Sequence, residues 1–512
     1  MNCPKCGNEN PEQTHICSWC GQVLVKEASA TNKPKIRVRN LILFALIAFV
    51  LTILCALSIL VSYLTVLLII IYGINRTVKI IKSEQSKGKV YTATALLAIL
   101  DIFLVCTILW RLDAQPIPDD YTVDDLRLVG VESSESYEIL LSLAAKDKNT
   151  LNVSVIGLSQ NDVDMIDDIY NIFVKEADNT DYAVIERIKA KSEIISEIWE
   201  KTTKSREVIN KLSRFEEIAD LTQPDMFTDI SFLRNFRNLA QLYILNTWLE
   251  CEQGAPRNAI REITEFDSVA RKLSVNARAL LTKMVSHWCL KMNIRTANFI
   301  LNNPRVSQEN VKFLAEHFVP LSNDQVSLRN TFVYEYLVVT KGLRHELMQE
   351  FPFMHFMQNV PFLKWNSTLR VCRNYWDEQL GIIGESNGVS NRQFSVWPEI
   401  YPDLSPVVMD SNGEFLWYYK SYNPVGTKLL SIMLPSLHRV FEEKITLEVQ
   451  DDLFRIILNK RLGKQVNLKA QMYSDEYIID RDRKIIFSPG PDGQAHTEDD
   501  IKLSINQEVI EF

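Results

Sequence analysis

The chain opens with the residues best suited to chemistry. Cys3 and Cys6 form one Cys-x-x-Cys pair, and Cys17 and Cys20 form a second, ten residues further on. Each pair turns tightly enough to aim two sulfurs at one point, and four thiolates complete a tetrahedral shell that suits Zn2+. Gly7 and Gly21 follow the second cysteine of each pair, where a residue free to take positive φ lets backbone N–H groups approach sulfur. A segment this short cannot bury a useful core, so metal binding would supply its folding energy. The expectation is a structural zinc site over 1–25, with His15 outside the shell. A disulfide pair or a redox Cys-x-x-Cys are the rival readings of the same residues.

Two further constellations carry charge. Asp101 stands alone in an apolar stretch, where a carboxylate is costly and is by default a candidate for function. A proton relay needs a second ionisable partner, and the bland alternative is a protonated or hydrogen-bonded Asp101 facing Ser58, Ser62, Tyr63 or Thr65. Near the C-terminus, FSPGPDGQAHTEDDI places Asp492, Asp499 and Asp500 around Gly490 and Gly493. These are hard oxygen donors of the kind Ca2+ takes. An acidic β-turn without metal is the equal alternative.

Signals for catalysis are missing elsewhere. His345-Glu346 lacks the second histidine of a zinc-protease helix, and no G-x-S-x-G elbow, phosphate-binding loop or G-x-G-x-x-G is present. The remaining histidines are scattered singly. Net charge is −8, which argues against nucleic acid as a partner of the whole chain.

The positioning elements follow from hydropathy and charge. Residues 41–74 contain no charged side chain. One helix of that length would run about 51 Å against a hydrocarbon layer of about 30 Å, so two short spans fit better, about 41–57 and 58–74. A third span covers 92–110. The linker 26–40 holds Lys26, Lys33, Lys35, Arg37 and Arg39 against Glu27, and the loop 75–91 holds five basic residues against Glu84. Three spans put both basic segments on the cytoplasmic side. The acidic segment after Arg111 and the large body behind it then lie outside, and the lipid bilayer is the first partner.

The body, 113–425, repeats apolar residues at three- and four-residue spacing, with prolines at the breaks. Helices are expected over 162–176, 181–215, 226–252, 256–273, 275–301, 308–317 and 325–350. The segment NLAQLYILNTWLECEQGAPRNAIREI reads as a helix, a Gly-Ala-Pro turn and a second helix, without a convincing repeat elsewhere. An irregular loop follows at 386–424, then a long helix over 426–462, and strands over 476–480 and 484–487. Cys251, Cys289 and Cys372 allow at most one disulfide, so the body depends on its own core. An aromatic cluster over 351–365 reads as core packing rather than a ligand pocket.

Three resemblances accompany these residues. The doubled Cys-x-x-Cys resembles the short N-terminal zinc ribbons of bacterial membrane proteins, and the 41–110 module resembles a small membrane unit often found behind them. From about Arg237 the LAQLY helix pair, SLRNTFVYEY, NPVG and FSPGPDG resemble uncharacterised envelope proteins of planctomycete-like bacteria. The last elements also resemble the calcium loop of type II secretion pseudopilins, although that pattern has a glycine where this chain has His496.

The expected fold class is mainly α: a small four-cysteine zinc ribbon, three transmembrane helices, a large stacked-helix extracytoplasmic domain and a small C-terminal β element. The resemblances imply the bacterial inner membrane, with the N-terminus cytoplasmic. The expected function is a non-enzymatic membrane-anchored binding, scaffold or envelope protein, with protein partners for the ribbon and for the outer domain. The alternatives are an envelope hydrolase with a site in the helical body, where 386–424 meets the aromatic cluster, and a transmembrane signal transducer.

Overall fold

A computed structural model describes residues 121–126, 132–144, 155–176, 189–225, 228–343, 364–385, 423–434, 437–470 and 473–507. The four ribbon cysteines, the three expected spans, Asp101, the 351–362 aromatics and nearly all of the 386–424 loop lie outside those residues. The chain divides into two compact units, Met1–Arg111 and Leu112–Phe512, and all described residues belong to the second. Among them, no helix is long and apolar enough to cross a membrane.

The second unit is mainly helical, with a small three-stranded sheet near its end. After a 3-10 turn at Val123–Asp125 come α1 (Glu132–Leu141), α2 (Gln160–Glu176), α3 (Ser192–Lys201) and α4 (Thr203–Arg214). Then follow α5 (Phe232–Glu252), α6 (Pro256–Asn276), α7 (Leu280–Asn302), α8 (Gln308–His317), α9 (Asn323–Val326), α10 (Arg329–Lys341), α11 (Trp365–Glu385), α12 (Pro424–Met433) and α13 (His438–Arg461). The sheet is β1 (Ile478–Asp480), β2 (Ile485–Ser488) and β3 (Ile501–Ser504), antiparallel in the order β1-β2-β3.

Three helices, α5, α6 and α7, make the centre. On α6 the residues Ala259, Ile260, Ile263, Phe266, Ala270 and Leu273 recur at helical spacing and are buried. A stripe of this kind turns one face of the helix to the core, where α5 and α7 pack on it. By contrast, α5 is buried on almost every side, since α2, α3, α6 and α7 all pack on it. Phe236 and Tyr243 stack on Phe266 with centroids 5.3 and 5.0 Å away, and Trp199 of α3 meets Tyr243 edge-on at 5.0 Å. Such pairs add about 0.5–1.5 kcal/mol beyond burial. The expected Gly-Ala-Pro turn between α5 and α6 is present. Gly254 takes φ 88°, and Pro256 opens α6 at its first turn, where its missing N–H costs nothing.

A second apolar cluster joins α10, α11 and α12 to the start of α13 through Phe332, Trp376, Leu430 and Phe441. The helix α13 spans both clusters, with Phe441 in this one and Phe454 in the main core. The sheet closes over α13 and the end of α7. Ser504 O of the edge strand accepts from Asn298 and Asn302 Nδ2, each at 2.9 Å, which protects that edge from other chains.

Several boundaries differ from the sequence expectation for identifiable reasons. The expected helix 181–215 is divided: α3 ends and α4 begins at Thr202, whose Oγ1 donates to Trp199 O at 2.9 Å. The expected helix 426–462 stops at Met433 and restarts at His438, with Pro435 in the interval. The start of α5 falls at Phe232, past Pro224, and α10 starts at Arg329 because Asn323–Val326 forms its own capped turn. The start of α7 is capped from outside. Glu335 accepts from Leu280 N at 2.7 Å, and Asp220 accepts from Arg278 N at 2.9 Å. These bonds satisfy donors that a helix start leaves open. The terminal strand behind the acidic turn is β3, whose two buried positions give too short an alternation to bound from sequence.

The three cysteines of this unit, Cys251, Cys289 and Cys372, are buried and form no disulfide among the described residues. Burial pushes the Cys251 thiol up to about 12, and Cys289 up further.

Asp267 and Arg271 form a buried ion pair inside α6, and Asn293 Nδ2 adds a bond to Asp267 at 3.1 Å. Asp267→Ala leaves the guanidinium buried and unpaired, and should cost about 3–5 kcal/mol in denaturant titration. Breaking the exposed Arg257–Glu309 pair by Glu309→Ala should cost at most about 1 kcal/mol.

Candidate functional site

Polar chemistry in this unit is concentrated at four places. The first is a buried seam between α6, α7 and α9. Lys283 is 1% exposed and His287 fully buried. Lys283 Nζ donates to Ser274 O at 2.7 Å, to Ser274 Oγ at 3.2 Å and to Gln325 O at 2.8 Å. The Gln325 carbonyl also accepts from Ser274 Oγ at 2.6 Å, and His287 Nε2 lies 3.2 Å from it. Four-residue α9 leaves its last carbonyls without helical partners, and the seam supplies them. Burial lowers Lys283 to about 7. It also holds His287 well below its ordinary value, helped by the Lys283 charge. Both groups are aimed at backbone oxygens inside the stack, a structural use of two titratable side chains.

The second place is a small groove of about 220 Å3 between α3, α4, α5 and α6. Trp199, Arg206, Tyr243 and Glu262 line it, with the Arg206 guanidinium 4.1 Å over the Trp199 ring. Asn246 Nδ2 donates to Glu262 Oε2 at 2.8 Å. Burial, and then the charge of Glu250, push Glu262 up to about 7. Arg206 already covers the aromatic wall.

The third place is the C-terminal acidic loop between β2 and β3. Its carboxylates are bound within the loop. Asp499 Oδ2 accepts from Asp492 N at 3.2 Å, Asp492 Oδ1 from Gln494 N at 2.7 Å, and Asp500 Oδ2 from His496 N at 2.8 Å. Thr497 Oγ1 adds a bond to Asp499 Oδ1 at 2.6 Å. A Cβ on Gly490 would lie 2.2 Å from Asp499 Oδ2, so this position must be glycine for the loop to close. His496 takes φ 69°, a conformation that glycine adopts without strain. Its ring compensates by packing 5.1 Å from Phe487 and lying 3.0 Å from Arg483 Nη1. Asp492, Asp499 and Asp500 are thus neighbours, as expected, but as acceptors of turn N–H groups. Among the described residues no three His, Cys, Asp or Glu side chains are grouped as metal ligands.

The fourth place is an open cleft of about 460 Å3 between α2, α5 and α7. Arg234, Arg237 and Asn238 of α5 form one wall, with Asp167 opposite on α2. Val163, Leu233, Leu281 and Val285 supply apolar surface. The Arg237 guanidinium sits 5.3 Å over the Trp288 ring. Arg234 Nη2 reaches Gln160 Oε1 at 3.3 Å, and Asp167 Oδ1 accepts from Gln241 Nε2 at 2.8 Å. Sequence reasoning missed this wall. Its signal was Arg234, Asn238 and Gln241, with Arg237, on one face of an otherwise apolar helix at spacings of three, four and seven.

The titrations of Lys283 and Glu262 have opposite consequences. Unfolded, Lys283 keeps its proton up to about 10.4. Folded, it releases it near 7, so between those values the unfolded state binds more protons and stability rises with pH. The folded Glu262 holds its proton to about 7 while the unfolded one releases it near 4.5, so stability falls as pH rises through that window. In denaturant titrations Lys283→Met should flatten the pH 7 to 10 rise, and Glu262→Gln should flatten the pH 4.5 to 7 fall.

No family model matches this chain, and neither a curated protein nor a solved structure matches it.

Proposed function

We propose that the chain is a non-enzymatic, membrane-anchored binding or scaffold protein. In this reading Cys3, Cys6, Cys17 and Cys20 hold one structural Zn2+ in a cytoplasmic ribbon. Residues 41–57, 58–74 and 92–110 span the bacterial inner membrane, and the helical unit lies outside the cytoplasm with Asp101 inside the third span.

The observation that carries it is the distribution of polar groups in the helical unit. The buried cations Lys283, Arg271 and Arg455 bond backbone carbonyls or Asp partners. The open cleft instead presents side chains to solvent beside apolar walls. That is the makeup of a ligand site on a rigid frame. For the C-terminal loop, the turn bonds of Asp492, Asp499 and Asp500 favour the metal-free reading over Ca2+.

Topology is the decisive measurement. Cysteines introduced at Ala30 and Gln85, in a background that keeps the ribbon, should be labelled only from the cytoplasmic side, and Gly130→Cys only from outside. Labelling of residue 85 from outside, or of residue 130 from inside, overturns the three-span arrangement. The purified chain should carry about one Zn2+, the content of a closed four-thiolate site. Cys17→Ser should abolish it. Millimolar Ca2+ should leave the thermal midpoint unchanged, and a rise removed by Asp499→Asn would restore the calcium reading.

A further inference from the structure

The cleft between α2, α5 and α7 holds one buried amide donor without an acceptor and two guanidinium groups without a carboxylate partner among the described residues. Asn238 is 5% exposed, lines the cleft, and its Nδ2 has no hydrogen-bond partner among the described residues. A buried amide donor left unpaired costs about 1–3 kcal/mol, and native proteins rarely leave one so. Arg234 and Arg237 stand beside it, and neither makes an ion pair among the described residues. The three lie at i, i+3 and i+4 on α5, so their side chains converge on one patch.

We propose that this cleft binds a monocarboxylic acid with an apolar body, its carboxylate held by Arg234, Arg237 and Asn238 Nδ2. The body lies against Leu233, Leu281 and Val285. The claim rests on the reading of the helical unit as a binding domain and names its ligand class. Guanidinium groups offer paired donors that match the two oxygens of a carboxylate, and the amide of Asn238 supplies a further donor to the same group.

Charge selects a monoanion. Two arginines and Asp167 leave a single net positive charge on the walls, and Asp167 would repel a doubly charged phosphate. The apolar walls select the other end of the ligand. Leu281 is 56% exposed at the cleft, a position that water covers poorly and an aliphatic or aryl body would cover well. The volume of about 460 Å3 is in the range that small organic ligands occupy.

The test uses the full-length chain in a nonionic detergent and isothermal titration with 4-phenylbutyrate. 4-Phenylbutan-1-ol and inorganic phosphate serve as comparison probes. The acid should bind saturably, and the alcohol and phosphate at least about tenfold more weakly, as expected when a charge-assisted pair is removed. Arg234 and Arg237 are exposed, so Arg234→Ala and Arg237→Ala leave the core intact. Each should weaken the acid by about tenfold, while the alcohol is unaffected. Asn238→Asp, nearly isosteric, should abolish acid binding by placing a carboxylate against the ligand. Leu281→Ala should weaken acid and alcohol equally. Absence of saturable binding overturns the proposal, as does an alcohol bound as tightly as the acid, phosphate bound more tightly than either, or wild-type affinity in the double arginine variant. If the same preparation carries zinc and shows the three-span topology yet binds no acid, only this proposal fails and the membrane-anchored reading stands.

Discussion

The helical stack depends on satisfying the backbone of one non-helical passage, the link between α8 and α9. Between α8 and α9 the chain runs through Phe318, whose side chain is fully buried, and then through the exposed Val319 and Pro320 and the half-buried Leu321 before the short helix at Asn323–Val326. Backbone groups here have no helix or strand ladder to join, and side chains of the neighbouring helices supply their partners. Arg455 of α13 donates to the carbonyls of Phe318 and Val319, and Arg271 of α6 donates to Pro320 O at 3.3 Å. Asp451 accepts from Leu321 N at 2.9 Å, and Gln325 Oε1 from Ser322 N at 2.9 Å. Lys283, Ser274 and His287 then converge on Gln325 O. Two Arg–Asp pairs and one lysine thus tie α6, α7 and α13 to the same few residues. The buried charges are there because the passage needs them, and they fix the register of three long helices at once.

That arrangement explains why the polar core and the apolar core do not compete. Phe318 lies between the two guanidinium groups, 5.3 Å from that of Arg271 and 5.7 Å from that of Arg455, and meets Phe454 edge-on at 5.3 Å. The ring shields the ion pairs from water while its face accepts their positive charge. Replacing such pairs with apolar residues is often neutral for stability in other proteins. Here the carbonyls of Phe318, Val319 and Pro320 would then lose their donors, so the pairs are tied to the passage they serve.

Much of this was legible in the sequence, and the legible part has a common cause. Helices α6, α7 and α8 announce themselves through strict apolar spacing with prolines at the ends, and the Gly254–Pro256 turn through residues that fit few other conformations. The breaks at Thr202 and near Pro435 were harder, because a proline or a threonine inside an apolar pattern either ends a helix or is tolerated, depending on tertiary contacts. The roles of Lys283 and His287 were not readable at all. Their acceptor, Gln325 O, is a main-chain atom some forty residues away, and nothing in its side chain advertises it. The acidic loop was readable as a loop but ambiguous as a site, since aspartates that hold a turn and aspartates that hold a cation share composition and spacing. The bonds from Gln494 N and His496 N decide between the two uses in a way that spacing could not.

The same contrast separates the seam from the cleft. Both contain basic residues on central helices, and composition treats them alike. In the seam every buried cation meets oxygen atoms of the protein at hydrogen-bonding distance. In the cleft, among the described residues, Arg237 meets the Trp288 face, Arg234 an amide oxygen, and Asn238 Nδ2 no acceptor. The cations of the seam are paired within the protein, whereas the two guanidinium groups of the cleft make no ion pair among the described residues, which leaves the cleft to be completed from outside. The donor geometry then sets what completes it: one carboxylate, flanked by apolar surface on α5 and α7.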